Sequence, residues 1–403
     1  MPRALWWLLV GMALNVTGAS FLWPLNTIYL HEQLGQPLAV AGAVLMLNSG
    51  GSVIGSLLGG MLFDRIGGFR TLVSGACLTM AALAGLGVWH GWPHYAVWLA
   101  LVGIGNGVVF PAASAYVGAV WPEGGRRAFN ALYVAQNIGV AAGSALGGVV
   151  ASHSFALVFW ANVWLYAAFL ATVVIGLRRM PLPPLRRKER KRRTGDGAPR
   201  AHIRALVLLC AGYGLCWMSY VQWSTTIAAY TRELSIPVHH YSLLWTINGA
   251  LIVLGQPLLA PLVRRFMPGM KRQIAIGFAV FTVSFAILFG ADSLLQFATS
   301  MVVLTIAEMI VWPAIPAVVN ELAPLGRAGF YQGIVNGTAT AGRMIGPVLG
   351  GWVADAFGMK PLIGLLVAFA LLAAGLAAGA ALVYDRGLPK RAEKAGEKTA
   401  VTV

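Results

Sequence analysis

Hydrophobic positions in this chain run on rather than alternate. Stretches such as 140–150 and 362–383 are apolar on every face, so neither the helical period of 3.6 nor the strand period of 2 organises them. A membrane-spanning strand would alternate polar and apolar residues, whereas a helix satisfies its own backbone in lipid, so these runs predict helices. Between turn and charge signals they fall at 4–29, 38–63, 69–90, 94–120, 127–151, 154–178, 204–230, 238–265, 272–291, 294–320, 328–356 and 360–384. Each reaches about the 20 apolar residues that cross a bilayer. The pattern predicts an all-α polytopic membrane protein of twelve transmembrane helices, in two sets of six.

Composition agrees. Of 403 residues 58% are hydrophobic and 10% charged, against roughly 25% charged in soluble domains, which excludes a soluble globule. The first apolar run is too long for a secretory signal core and lacks a small-residue cleavage site, so it reads as a permanent span. Cys77, Cys210 and Cys216 all lie within apolar runs and read as packing residues. The seven histidines show no ligand spacing on a common helix face, so neither a metal site nor a cofactor is expected.

Charge tests the span count, because Lys and Arg gather on the cytoplasmic side of short loops. With the N-terminus inside, only Arg232 and Lys360 of the 29 basic residues fall outside, and Arg343 lies within a span. Both termini are therefore expected in the cytoplasm, in a bacterial-type plasma (inner) membrane. The basic stretch 179–203 divides a six-helix bundle at 1–178 from a second at 204–384, and residues 385–403 read as a disordered tail. The run Arg186 to Arg193 suits anionic lipid headgroups at the inner leaflet better than nucleic acid. A monomer is expected.

The halves repeat each other, as transporter folds often do. Leu47, Asn48, Val53, Gly55 and Leu58 return as Ile247, Asn248, Val253, Gly255 and Leu258 at an offset of 200. Pro111 and Pro122 return as Pro313 and Pro324 at 202, and Gly139, Gly143, Gly147 and Gly148 as Gly342, Gly346, Gly350 and Gly351 at 203, with Pro347 opposite Ser144. Glycines at such spacing let another helix approach closely. They serve tight packing or a sliding interface between the halves, and both can hold.

Gly60-x-x-x-Asp64-Arg65-x-Gly67 with Arg70, between spans two and three, resembles the signature loop of the major facilitator superfamily. The glycine motif of spans five and eleven resembles that of the superfamily's antiporters, and Glu308, Pro313 and Leu322-Ala323-Pro324 resemble the tenth span of bacterial twelve-span drug:proton antiporters. The resemblance implies two pseudo-symmetric six-helix bundles that give alternating access to a cavity lined by spans one, four, seven and ten. It implies a gating role for Asp64, Arg65, Arg70, Gly143, Gly147, Gly346, Pro347 and Gly350, with Asp64 locking the cytoplasmic side against the N-terminal end of a facing helix. The sequence departs from the family at Gly68-Phe69, at Leu99 where an arginine is common, and at Ser144.

Ionisable residues at bilayer depth are costly and point to function. Glu308 in span ten and Arg343 in span eleven lie near span centres, and the repeat sets Asn106 opposite Glu308. Glu308 can exchange protons and compete with a cationic substrate, or it can hold a structural ion pair with Arg343; a pair made in one state and broken in the other combines both readings. Helical spacing predicts a substrate lining of Asn15 and Asn26 in span one, Asn106 and Phe110 in span four, Tyr213, Trp217 and Tyr220 in span seven, and Thr305 and Trp312 in span ten. One carboxylate among Trp and Tyr suits an amphipathic, cationic molecule through apolar and cation-π contact; lipid contact or core packing explains the same aromatic stripe. Asn48, Asn248, Gln136 and Asn137 read as bonds between helices. No Ser-His-Asp set, nucleotide-binding loop or paired acids can be assembled, so no enzyme is expected. The expected function is a proton-coupled exporter of amphipathic drug-like molecules; the alternatives are a lipid or glycolipid flippase or organic-anion transporter in the same fold and, more remotely, a sensor that moves nothing.

Overall fold

The structure is a computed structural model that describes residues 1–22, 25–178, 200–267 and 269–387, and every regular element among them is helical. The first half holds α1 (Arg3–Leu22), α2 (Leu38–Ile66), α3 (Gly68–Val88), α4 (His94–Val120), α5 (Arg126–His153) and α6 (Phe155–Leu177). The second holds α7 (Arg200–Tyr220), α8 (Val238–Ala250), α9 (Met270–Phe289), α10 (Leu294–Leu322), α11 (Ala328–Phe357) and α12 (Met359–Gly387). The run Arg186 to Arg193 and residues 388–403 lie outside the described residues.

Ten stretches of the described residues are long and apolar enough to cross a membrane, and α5 and α11 are not among them. With 28 and 30 residues they have ample length, at about 1.5 Å of rise per residue. They carry Arg126, Arg127, Asn130, Gln136 and Asn137, and Gln332, Asn336, Arg343 and Asp355. Of these, Arg126 and Gln332 donate to carbonyls of α10, those of Met309 and Ile310 and that of Pro316.

Three spans break where one continuous run was expected. After α7 the chain passes through a 3-10 turn at Val221–Ser224 into Thr226–Glu233. Beyond α1 a short helix, Leu25–Ile28, leads into a π turn at Tyr29–Gln33. In the eighth span α8 gives way to a π turn at Leu251–Gly255 before Gln256–Phe266 resumes. Pro257 has no N–H to donate into the preceding turn, and a π turn absorbs such a defect.

Each half has its own apolar core. One contains Leu5, Leu8, Leu83, Phe159 and Phe169, the other Phe278, Phe281, Phe285, Leu304 and Leu366. Helix ends are set locally: Ser154 caps α6 by accepting from the Ala156 N–H at 3.2 Å, and Ser293 with Gln296 closes a capping box on α10. Because successive helices run antiparallel, Arg65, Arg70, Arg126, Arg127, Lys271, Arg272 and Arg327 gather at one end of the molecule, called the basic end below.

Candidate functional site

Glu308 sits midway along α10 with 1% of its surface exposed. Asn248 of α8 donates to its two carboxylate oxygens at 3.2 and 3.3 Å and to the Thr305 hydroxyl at 2.9 Å. Thr305 donates to the Met301 carbonyl. From the other half, the Tyr133 hydroxyl of α5 donates to Glu308 Oε2 at 3.4 Å. The carboxylate is thus held by neutral donors from both halves.

Arg343 does not pair with it. Its guanidinium donates to the Thr340 hydroxyl at 3.0 Å and lies 4.7 Å from the centre of the Trp217 ring. Trp217 stacks on Trp312, with centroids 4.7 Å apart and planes 4° from parallel. Tyr213, Tyr220 and Phe281 pack edge-on or tilted against Trp312, and Trp245 meets Tyr220. The result is an arginine–indole–indole stack inside an aromatic ring, one helical turn from Glu308. The Trp217 indole N–H is buried and unpartnered. Such a surface offers flat apolar faces and π-electron density to an amphipathic or cationic molecule.

The amides of the first half lie in different surroundings. Asn106 accepts from the Tyr166 hydroxyl at 2.5 Å, and Asn162 donates to the Gly18 carbonyl at 2.8 Å. Asn15 is fully buried on α1 with both side-chain atoms unpartnered. Asn26 accepts from the Tyr95 hydroxyl at 2.7 Å. Phe110 packs against the first core. The sequence grouped these residues with Glu308 in one lining; the structure brings Thr305, Tyr213, Trp217, Tyr220 and Trp312 around the acid and places Asn15, Asn26, Asn106 and Phe110 within the first bundle.

At the basic end the halves meet through α2 and α11. Asp64 accepts the N–H groups of Gly329 and Phe330 at 2.9 and 2.8 Å, with one oxygen for each. A carboxylate so placed satisfies unpaired donors and faces the positive end of the α11 dipole. Arg65 and Arg70 are exposed beside it. Gly60 and Gly329 face each other, each leaving no room for a Cβ against the other's carbonyl, and Gly333 lies against Ser56.

This corrects one reading of the glycine motifs, the sliding interface between halves. Gly139 and Gly143 pack on Ala13 and Thr17 of α1, and Gly147 on Phe21. Gly342 and Gly346 pack on Gly214, Trp217 and Met218 of α7, and Gly350 meets the Gln222 side chain just beyond it. Both motifs bind helices within a half. Pro347 stands in the same helix as Gly346 and Gly350. Glycine contact between the halves is made instead at Gly60, Gly329 and Gly333, and at Gly118 against Asn320.

Sequence reasoning missed Tyr133 as a partner of Glu308, and Arg126 and Gln256 altogether as site residues. Arg126 Nη2 donates to the carbonyls of Met309 and Ile310 at 3.1 and 3.2 Å, and Gln256 donates to Met309 at 3.3 Å. One signal pointed there: Pro313 leaves the carbonyl four residues earlier, that of Met309, without its helical partner.

A two-halved, all-helical membrane fold with an ionisable group buried between its halves defines a membrane transporter. The profile of the Major Facilitator Superfamily matches residues 8–235 and 209–403, and the chain belongs to that superfamily. It is a multi-pass secondary transporter rather than an enzyme, and a small molecule is its substrate. A relative in Bacillus subtilis (strain 168), the uncharacterized MFS-type transporter YttB, is 50% identical over 100% of both chains. The multidrug resistance protein MdtH of Cronobacter sakazakii is 26% identical, covering 87% of this chain and 86% of its own. In fold, the chain matches an outward-facing bacterial homologue of the iron transporter ferroportin with a TM-score of 0.77 at 16% identity, over 94% of this chain and 99% of the other. The human organic anion transporter MFSD10 matches with a TM-score of 0.75 at 17% identity, over 94% and 100%.

Proposed function

We propose that this transporter is a proton-coupled exporter of amphipathic, cationic molecules. The observation that carries the reading is Glu308, a sealed carboxylate one turn from the stacked indoles Trp217 and Trp312 and held only by neutral donors. Without a fixed cation beside it, the carboxylate is free to take either a proton or a cationic substrate, and exclusive occupancy by one or the other is what couples their movements. The similarity to MdtH supports export of drug-like compounds. Tyr213, Tyr220 and Thr305 complete the lining on this reading, while Asn15, Asn26, Asn106 and Phe110 shape the first bundle behind it.

The basic end then faces the cytoplasm of a bacterial cell, with both termini inside and the bases of that end near anionic lipid. On this reading the protein is a monomer that alternates access, closed here on the cytoplasmic side, and the contacts of α2 with α11 support Asp64 as part of the gate.

The test is transport in liposomes that enclose a pH-sensitive dye, with a panel of lipophilic cations added. Wild type is expected to move protons on addition of substrate, and Glu308→Gln to lose that flux while unfolding at an unchanged temperature. Equal flux in the mutant would overturn the assignment. A second reading, export of an organic anion or flipping of an anionic lipid, is favoured by Arg343, whose guanidinium meets no carboxylate among the described residues. Silence across the cations, with an anionic ligand that stabilises wild type but not Arg343→Ala, would establish that reading instead.

A further inference from the structure

A cation removed from water is normally held by an anion, because carbonyl dipoles alone return only part of its lost hydration. Arg126, the first residue of α5, is 8% exposed. Among the described residues its only partners are the carbonyls of Met309 and Ile310 in the opposite half, both reached through Nη2. Its Nε and Nη1 are buried without a partner. Among the described residues no carboxylate is in contact with it, so ordinary packing is a poor account of why a guanidinium lies here.

The acceptor is unusual as well. Pro313 cannot donate to Met309, so that carbonyl is exposed by the bend in α10 and needs a donor from elsewhere. Gln256, which opens the helix Gln256–Phe266 of the eighth span, supplies one at 3.3 Å, and Arg126 supplies the other across the boundary between the halves. Arg126 and Tyr133 are seven residues apart on α5, two turns along one face. Tyr133 holds Glu308 while Arg126 holds its neighbour Met309, so one face of α5 grips α10 at adjacent points. Three turns further along α10, toward the basic end, the last turn of α4 meets it where Gly118 lies against the Asn320 side chain.

We infer that Arg126 is a latch between the halves: a positioning residue whose grip on the proline-freed carbonyl of Met309 favours the state closed at the basic end. When the ends part, both the guanidinium and the carbonyl regain water. The two unmet donors of Arg126 make the closed contact incomplete, so it can be released repeatedly instead of locking the protein. The latch depends on the chain opening at this end and not on which ion or substrate Glu308 takes, so it stands or falls separately from the exporter reading.

The test is a distance measurement between spin labels at Glu123→Cys and Leu325→Cys, exposed positions on either side of the boundary, in protein whose three native cysteines are changed to alanine, in lipid nanodiscs without substrate. In otherwise unchanged protein the short distance should dominate. Arg126→Ala should raise the ratio of long to short populations roughly tenfold, equivalent to about 1.4 kcal/mol. Pro313→Ala, which gives Met309 a partner within α10, should shift the ratio the same way by less, and adding it to Arg126→Ala should change nothing further. An unaltered distribution in Arg126→Ala would overturn the latch, and so would full additivity of the two substitutions. Should Arg126→Ala fail to give monodisperse protein, Arg126→Lys carries the test: an intermediate shift supports the latch, and none overturns it.

Discussion

The seam between α2 and α4 and its symmetry mate between α8 and α10 share a backbone plan and differ in nearly everything else. In the first, Gly51, Gly55, Gly59, Gly103 and Gly107 bring the helices into backbone contact; a Cβ on Gly59 would lie 2.5 Å from Val108 Cα. Asn48 seals this seam by donating to the Leu99 carbonyl at 2.6 Å. At the repeat-related positions of the second seam stand Leu251, Gly255, Leu259, Thr305 and Met309. Bulky residues hold that seam apart, a π turn interrupts the eighth span after α8, and Asn248 turns to Thr305 and Glu308 where Asn48 turned to backbone. The comparison teaches that duplication supplied two equal scaffolds. One was closed with glycine into a frame, and the other kept the space in which a carboxylate can be buried and approached by the opposite half.

Several measurements would break or sharpen this contrast. The largest effect belongs to the acid: Glu308→Gln should reduce substrate-driven proton flux at least ~100-fold, the scale of a lost proton-transfer group, whereas Asn106→Asp, at the repeat-related site, should not restore flux to that mutant. Restoration would show that the halves are interchangeable. Next in size, Gly59→Ala should destabilise the protein by about 2–3 kcal/mol through overpacking against backbone, read as a lower unfolding temperature in detergent. Its counterpart Gly255→Ala would meet only the Met309 side chain at 3.6 Å and should change stability by less than about 0.5 kcal/mol.

The paired asparagines separate the roles further. Asn48→Ala should cost about 1 kcal/mol of stability, the range of a hydrogen bond between membrane helices, and leave transport intact. Asn248→Ala should do the reverse, lowering coupled transport about tenfold, as loss of about 1.4 kcal/mol of positioning would, at little cost in unfolding temperature. The smallest expected effect lies at the basic end, where Asp64→Asn removes a charge from the N-terminus of α11. Loss of about 0.3–1 kcal/mol should enlarge the open population two- to fivefold in the same spin-label experiment, and a larger change than that of Arg126→Ala would make the gate one of α2 and α11 rather than α5 and α10.

The sequence by itself determined the membrane class, the helical fold and its two-fold repeat, because a bilayer forces long apolar runs to be helices and duplicated packing leaves Gly, Pro and Asn in register. It also singled out Glu308 and the aromatic face of α7 and α10, since an acid in such a run is rare and helical spacing sets Tyr213, Trp217 and Tyr220 on one side. What only the tertiary structure decided was partnership. That Arg343 lies over Trp217 instead of pairing with Glu308, that Tyr133 and Arg126 cross from the other half, and that the glycine motifs pack inside each half follow from contacts between segments more than 100 residues apart. Residue spacing along one helix carries no information about which face of another helix it meets; that is fixed only when the helices dock and their unsatisfied groups find each other.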